Sequence, residues 1–263
     1  LEDITLRALR TLKEVDLIAA EDTRHSQKLL NHFGIHTRLI SYYREKETER
    51  GHELVIRLQQ GENIALISDA GTPGISDPGA VVARAARQAG LVVVPIPGPS
   101  AVATALSAAG LADGRWLFHG FLPHKTGERR RELEALAALP QSLVFYESPH
   151  RLLDTVADLA VVLGGERGLF IARELSKRFE QFHECGLAEA LDWLKEDDNR
   201  QRGEFVLVVS GCPAQADDGM KEAGRVLALL LEDLPASQAA RLAARLTGAK
   251  KNALYDLAQQ LKA

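Results

Sequence analysis

The sequence predicts an α/β protein of two lobes, followed by a small helical extension. Three observations carry that prediction. Short apolar runs of strand length alternate with amphipathic helical stretches as far as Val209. Most of these runs end in a Gly/Pro loop or a knot of ionisable residues, as expected at the carboxyl ends of strands in an open α/β sheet. Beyond residue 213 only helical patterns remain. The 263 residues are 46% hydrophobic and 26% charged, the balance of a globular chain. No apolar run has the length of a membrane span, and no signal peptide is visible. Cys185 and Cys212 lie far apart without metal-ligand spacing. That argues against a disulfide framework or a metal site, and for the reducing cytoplasm. The formal net charge of −4 leaves nucleic-acid binding to local basic patches. The chain opens on Leu1, inside what reads as an element, so a segment upstream is expected.

In order, Asp3 reads as the N-cap of a helix over residues 4–14, with Leu6, Leu9 and Leu12 on its apolar face. Residues 16–20 read as a short buried strand ending in Glu21-Asp22-Thr23-Arg24-His25. Asp22 or Thr23 caps the next helix, to about Phe33, or the dense mixture of charges lines a polar cleft. Residues 38–41 form a strand, and 48–60 a charged amphipathic helix. The apolar strand 64–67 breaks into Ser68-Asp69-Ala70-Gly71-Thr72-Pro73-Gly74 and continues to Gly79. A helix follows to Ala89, with Asp77 as N-cap and Pro78 in its first position. Residues 91–96 read as a β-branched strand that runs into Pro97-Gly98-Pro99-Ser100-Ala101, with an Ala-rich helix from Ser100. Asp113-Gly114 marks a turn and the end of a first lobe, 1–113.

Residues 116–123 read as a linker into the second lobe, 114–213. The run 125–131, KTGERRR, opens a helix to about Leu139, as a solvated helix start or as a phosphate-contacting patch. Strand 143–146 ends in Glu147-Ser148-Pro149-His150-Arg151, and strand 168–172 in Arg173-Glu174-Leu175-Ser176-Lys177. Residues 180–185 suit an antiparallel strand, 187–195 a helix and 203–209 a strong last strand. A polar linker, 213–219, leads to helices over 223–234, 237–246 and 250–262 in a third part, 214–263. The last two resemble a helix-turn-helix with Arg241, Arg245, Lys250 and Lys251 near the turn: either a small bundle or an RNA-docking tail.

Walker, G-x-G-x-x-G, G-x-S-x-G and H-E-x-x-H motifs are all absent. Two rigid Gly/Pro loops with Asp69 suit a small ligand carrying both charges, an amine or sulfonium and a carboxylate, the latter on a helix N-terminus. Each loop is otherwise a tight connection from strand to helix. The segments AEDTRH (20–25), SDAGTPGISDPG (68–79), PIPGPSA (95–101), FYESPHR (145–151) and ARELSK (172–177) resemble the tetrapyrrole-methylase superfamily, and within it the branch that methylates small-subunit ribosomal RNA. The resemblance covers nearly the whole chain, with the motifs in the expected order. It implies a tetrapyrrole-methylase-like fold of two α/β lobes with S-adenosyl-L-methionine in the cleft between them, and a homodimer. It implies methyl transfer to the ribose 2′-oxygen of a cytidine, cytidine 1402, in the decoding region of 16S rRNA in the small ribosomal subunit. No membrane, DNA or metal is implied.

By the same resemblance Asp69, Gly71, Thr72 and Ile75 of the first loop, and Ser100 and Ala101 of the second, line the cofactor, while Tyr146 and Ala172 close it. Members of the family begin with a strand and a Pro- and Gly-containing loop that also touches the cofactor; here that segment is expected upstream. A ribose hydroxyl is a poor nucleophile, so a base is expected among Glu21, Asp22, His25, Glu147 and Glu174. Arg24, Lys125, Arg129, Arg130, Arg151, Arg173, Lys177, Lys250 and Lys251 are the candidates for holding RNA. Two rivals stand beside this reading: a methyltransferase acting on a small tetrapyrrole, and a non-catalytic ribosome-assembly factor of the same fold.

Overall fold

Strand β1 (Leu17–Ala20) is the axis of the first sheet, and all four of its residues are buried. It pairs in parallel with β2 (Leu39–Ser41) on one side and β3 (Ile64–Ile67) on the other, giving the order β2-β1-β3. In the computed structural model, which describes residues 1–111, 114–213 and 218–262, helices cover both faces of this sheet. Leu12 of α1 (Leu6–Glu14) and Leu30 of α2 (Thr23–His32) pack with Ile18 and Ile35 on one face. Leu54 of α3 (Glu47–Gln59) and Val82 of α4 (Ala80–Gln88) pack with Leu17, Ala19 and Tyr42 on the other. This two-sided cover explains why β1 reads as a continuous apolar run.

Two caps differ from expectation. Thr5, not Asp3, caps α1, its hydroxyl accepting from Ala8 N at 3.1 Å. Helix α4 starts at Ala80 with Gly79 at its N-cap, where the chain turns at φ 144°, a value open only to glycine; Asp77 and Pro78 stay outside the helix. A third difference concerns residues 91–96, which join no ladder among the described residues. Val92, Val93 and Val94 are 86%, 43% and 56% exposed. Branching at Cβ favours an extended backbone but does not supply a neighbouring strand.

The second sheet has the order β4-β5-β8-β6-β7, from β4 (Trp116–Phe121), β5 (Ser142–Glu147), β6 (Gly168–Arg173), β7 (Gln181–Gly186) and β8 (Phe205–Val209). β4 and β5 run parallel; β8 runs antiparallel to both β5 and β6, and β7 antiparallel to β6. The expected linker 116–123 is therefore corrected: most of it is edge strand β4. Its register shifts between Phe118 and Gly120, with Gly120 at φ 84°, and that bulge breaks the alternation by which a strand is recognised. Helices α6 (Thr126–Leu136), α7 (Leu152–Leu163) and α8 (Leu187–Lys195) cover one face through Leu133, Leu152, Val156, Leu159, Leu187 and Leu194. Val102 and Ala105 of α5 (Ala101–Ala108) pack on the other face against Val144, Ala172, Val206 and Val208. Helix α5 thus fastens the loop before it to the second sheet.

Contacts divide the chain into two compact units, Leu1–Gly211 and Cys212–Ala263. In the second, α9 (Asp218–Asp233), α10 (Ala236–Thr247) and α11 (Lys251–Lys262) pack around Ala223, Leu227, Ala239, Ala240, Ala243, Leu254 and Ala258. Gly248 ends α10 at φ 74°. Asp113 of the expected turn and residues 214–217 of the expected linker lie outside the described residues. Among the described residues no helix is long and apolar enough to cross a membrane.

Candidate active site

A cavity of about 810 Å³ opens within the first unit, where the loops of the first sheet meet the strand ends of the second. Its walls are Gly71, Thr72, Ile75, Ser76 and Asp77 from the loop after β3, Pro97 to Ala101 before α5, and Phe121, Tyr146 and Ser148 at the ends of β4 and β5. Leu175, Ser176 and Lys177 after β6, with Glu204 to Val206 at the start of β8, complete it. The antiparallel course of β8 brings its amino end to the same side as the carboxyl ends of β5 and β6. A second cavity, of about 550 Å³, lies between α1, α2 and β3 and reaches Asp69 and Pro97–Pro99.

The loops are held from outside. The Thr72 hydroxyl donates to Pro99 O at 3.0 Å and joins the two Gly/Pro loops. Glu47 Oε1 accepts from Gly79 N at 2.7 Å, Val81 N at 3.3 Å and the buried Tyr42 hydroxyl at 3.3 Å. Arg44 Nη2 donates to Ser76 O at 2.6 Å. Burial and the neighbouring Glu47 carboxylate raise the Tyr42 hydroxyl pKa, so it stays a donor. Glu47→Ala leaves these donors without their carboxylate and is expected to cost about 2 kcal/mol in urea denaturation. The same variant should weaken cofactor binding in calorimetry, because the 72–79 loop loses its anchor.

The residues named for the cofactor mostly converge. Gly71, Thr72, Ile75, Ser100, Ala101 and Tyr146 all line the large cavity. Ser100 caps α5, accepting from Ala103 N at 3.5 Å, which turns a helix N-terminus toward the space. Asp69 sits on the second cavity, and its Oδ1 accepts from Asp22 N at 3.1 Å. Ala172 is fully buried in the sheet, against α5, behind the wall.

The candidates for a base fare unevenly. Asp22 caps α2 and pairs with Arg24 at 3.1 Å, and these contacts hold its carboxyl below the usual range. Glu147 is 2% exposed, with Thr155 Oγ1 donating to it at 2.6 Å, Ser148 N at 2.7 Å and Arg151 3.4 Å away. Glu174 accepts from Lys177 Nζ and Glu204 N, both at 2.9 Å; burial opposes these bonds but its pKa is still lowered. His25 is exposed and borders the second cavity. Glu21 is partly buried at the end of β1.

Three of the arginines named for RNA make hydrogen bonds within the fold. Arg129 is 2% exposed and bonds Asp158 at 2.6 Å. Arg151 Nη2 donates to Leu122 O at 2.5 Å, and Arg173 Nε to Arg202 O at 2.6 Å. A long apolar stem with a branched donor suits a buried carboxylate or carbonyl as well as a phosphate. Arg24 and Lys125 keep side chains 90% and 81% exposed. Arg130 is 45% exposed on Asp158, and Lys177 44% exposed between Glu174 and Glu204. Lys250 and Lys251 are exposed on the helical unit.

Sequence reasoning missed Asp77. Taken as a helix cap, it instead lines the large cavity, and its pKa is raised to about 6 by burial first and then by the Glu21 charge. A mismatch in the segment could have exposed it: Pro78-Gly79 is a poor helix start, because glycine is strongly favoured only after a helix's end.

Fold and cavity together define a two-lobed α/β protein, with its ligand space at the strand ends. The chain belongs to the tetrapyrrole methylase family: the family described as Tetrapyrrole (Corrin/Porphyrin) Methylases matches residues 1–191, and the RsmI C-terminal HTH domain matches 217–262. It is 53% identical over 258 residues to the "Ribosomal RNA small subunit methyltransferase I" of Escherichia coli O157:H7, covering 98% of this chain and 90% of that one. It is also 53% identical to the protein of the same name from Pseudomonas aeruginosa, covering 99% and 93%. Among solved structures, diphthine synthase superposes with a TM-score of 0.62 at 15% identity, covering 80% of this chain and 85% of that one. The methyltransferase CobJ gives 0.59 at 17%, covering 80% and 90%. These two likenesses show the fold.

The cofactor of the family is S-adenosylmethionine. The residues present fit it: the α5 N-terminus at Ser100 suits a carboxylate, the Asp69 carboxylate suits a cationic centre, and Ile75 and Tyr146 suit a flat apolar ring.

Proposed function

We propose that the chain methylates the ribose 2′-oxygen of a cytidine in the decoding region of 16S rRNA, cytidine 1402, with the small ribosomal subunit as substrate. One observation carries the reading: 53% identity to proteins named for small-subunit rRNA methylation extends over 98% of the chain, helical unit included. A small tetrapyrrole would need no appended helical unit. The reading includes a homodimer in the cytoplasm, and a division into lobes 1–113 and 114–213 with a docking unit 214–263.

When bound, S-adenosylmethionine supplies an electrophilic methyl group. The chain's own part is positioning and exclusion of water. Thr72 and Pro99 hold the two cofactor loops in one geometry. Ser100 fixes the start of α5, where backbone N–H groups meet a carboxylate. Phe121 and Tyr146, with ring centroids 5.6 Å apart, form an aromatic wall for the incoming nucleoside. In this reading Arg24, Lys125 and Lys177, exposed beside Asp22, Glu128 and Glu174, would exchange those partners for phosphates, and Lys250 and Lys251 would extend that role to the helical unit.

The test is label transfer from methyl-tritiated S-adenosylmethionine to small subunits from cells lacking the modification, with naked rRNA alongside. Label that makes one nucleotide resist alkaline cleavage supports the reading. Label absent from rRNA, with cofactor binding confirmed separately, overturns it in favour of a small tetrapyrrole acceptor. Asp69→Ala is expected to weaken cofactor binding about tenfold, the loss of one charge-assisted contact, and to leave rRNA affinity unchanged in calorimetry. Equal loss of both would make Asp69 a folding residue through its bond to Asp22 N.

A further inference from the structure

We infer that Asp77 is the catalytic base, its carboxylate accepting the proton of the ribose hydroxyl as that oxygen is methylated; the inference rests on the reading above. The argument begins with the backbone. Ser76, just before Asp77, is a non-glycine residue held at φ 67°. Such strain persists only where the surroundings enforce it, and it gathers at functional sites. Here the enforcing contacts are visible. Arg44 holds the Ser76 carbonyl at 2.6 Å, and Glu47 holds Gly79 N at 2.7 Å. On the opposite side the loop presses on the bulge of β4: a Cβ built on Gly120 would lie 3.1 Å from Ser76 Oγ. The loop of the first sheet is therefore wedged against the second sheet, with Asp77 in the wall of the large cavity beside Tyr146.

The neighbours of Asp77 determine its chemistry. Glu21 after β1 and Asp69 after β3 are carboxylates that repel its charge; Ser68 and Arg44 act the other way and are outweighed by burial and Glu21. Its pKa of about 6 matches a base working near neutral pH, ionised when substrate arrives and still basic enough to take a proton. Asp22 and Glu174 are engaged by Arg24 and Lys177, which favour their charged forms and weaken them as bases, while Glu147 is buried against Thr155 and Arg151. In the step, the ribose oxygen forms a bond to the methyl carbon while the carbon–sulfur bond breaks. The electron pair leaves on sulfur, and the hydroxyl proton passes to Asp77. The products are a 2′-O-methyl ribose, a neutral thioether and a protonated carboxyl that returns its proton to water.

The experiment uses the full chain with small subunits as acceptor, in wild type, Asp77→Asn and Asp77→Glu. Calorimetry first establishes S-adenosylmethionine affinity, and single-turnover transfer is then followed across pH 5 to 8. The expected result is unchanged cofactor affinity in Asp77→Asn and a rate lowered about 100-fold or more. The wild-type rate should rise about tenfold per pH unit up to about 6 and then level off; Asp77→Asn should lose that inflection and Asp77→Glu should keep it. A second readout needs no turnover. The folded-state pKa lies above the ordinary 3.8, so the proton stabilises the folded chain below about 3.8, and that contribution is lost as pH rises through about 6. Asp77→Asn has no charge to develop, so its melting temperature should gain on wild type across that window. An unchanged rate and pH profile in Asp77→Asn overturns the inference, as does a loss of cofactor affinity that accounts for the whole effect. Absence of rRNA methylation by wild type overturns the functional reading and the base with it. The melting curves then still show whether Asp77 carries the raised pKa.

Discussion

Asp158→Ala is expected to destabilise the first unit by about 3–5 kcal/mol, because it removes one side of a buried ion pair and leaves the other side charged. Asp158 on α7 is 2% exposed. It accepts from Arg129 Nε at 2.6 Å and Arg130 Nε at 2.7 Å, both on α6. Arg129 is as deeply buried and also donates to His124 O at 3.0 Å, tying the segment after β4 to both helices. Without Asp158 that guanidinium would be buried with only carbonyl and hydroxyl partners. Arg130 differs. Its side chain is 45% exposed, and Arg130→Ala leaves the Arg129–Asp158 pair in place, so a loss under about 1 kcal/mol is expected. Urea denaturation of the two variants separates the cases. The double variant Arg129→Met, Asp158→Leu should regain much of the loss, since an apolar pair of similar volume needs no charge compensation. Equal, small effects from all three would mean that water reaches the pair.

Gly79→Ala is the second large effect, expected at about 3 kcal/mol from backbone strain and steric overlap together. At φ 144° a side chain is disfavoured whatever the space. The space is also filled: a Cβ there would meet Leu66 Cδ2 at 2.8 Å and Gly74 N at 3.2 Å. Relief requires the loop to move, which breaks the Gly79 N bond to Glu47 and shifts Asp77. A melting point lowered by several degrees should therefore accompany a weaker S-adenosylmethionine affinity. Gly71→Ala is the control, because at φ 75° the nearest atom is Pro99 O at 3.8 Å. It meets only the backbone cost, about 1 kcal/mol.

The strands carrying the strongest apolar runs were legible in the sequence, because a strand covered on both faces has no polar alternation to confuse it. β1, β3, β5, β6 and β8 all follow this rule, and so do the three helices of the second unit, where Pro235 and Gly248 punctuate clear periodicity. β4 was hidden for the opposite reason: it is an edge strand, interrupted by His119 and Gly120, and its exposed Trp116 and Phe121 resemble a surface linker. Residues 91–96 show the complementary limit, since local propensity favours a strand but pairing is decided by what lies alongside. At the site, the two Gly/Pro loops, Ser100 and Tyr146 were legible as short motifs. The duties of Arg129, Arg151 and Arg173 were not, because sequence shows that an arginine is present but not whether a buried carboxylate or carbonyl claims it first. Asp77 was obscured by a competing local reading, its resemblance to a helix cap.

The strand order β4-β5-β8-β6-β7 has a consequence for the birth of the molecule. Synthesis proceeds from the amino end, yet the central strand of the second sheet is the last of the five to be made. Until residues 205–209 leave the ribosome, β5 and β6 each present an open edge to the slot that β8 will fill. The parallel pair β4–β5 and the antiparallel pair β6–β7 can zip early, but they remain two separate halves with apolar faces uncovered. Closure is a single late event, joining Leu143 to Val209 and Leu169 to Val209 across long stretches of chain. The wall of the large cavity formed by Phe205 and Val206 arises in that same event, so the nascent chain cannot assemble its ligand space before its second sheet is complete.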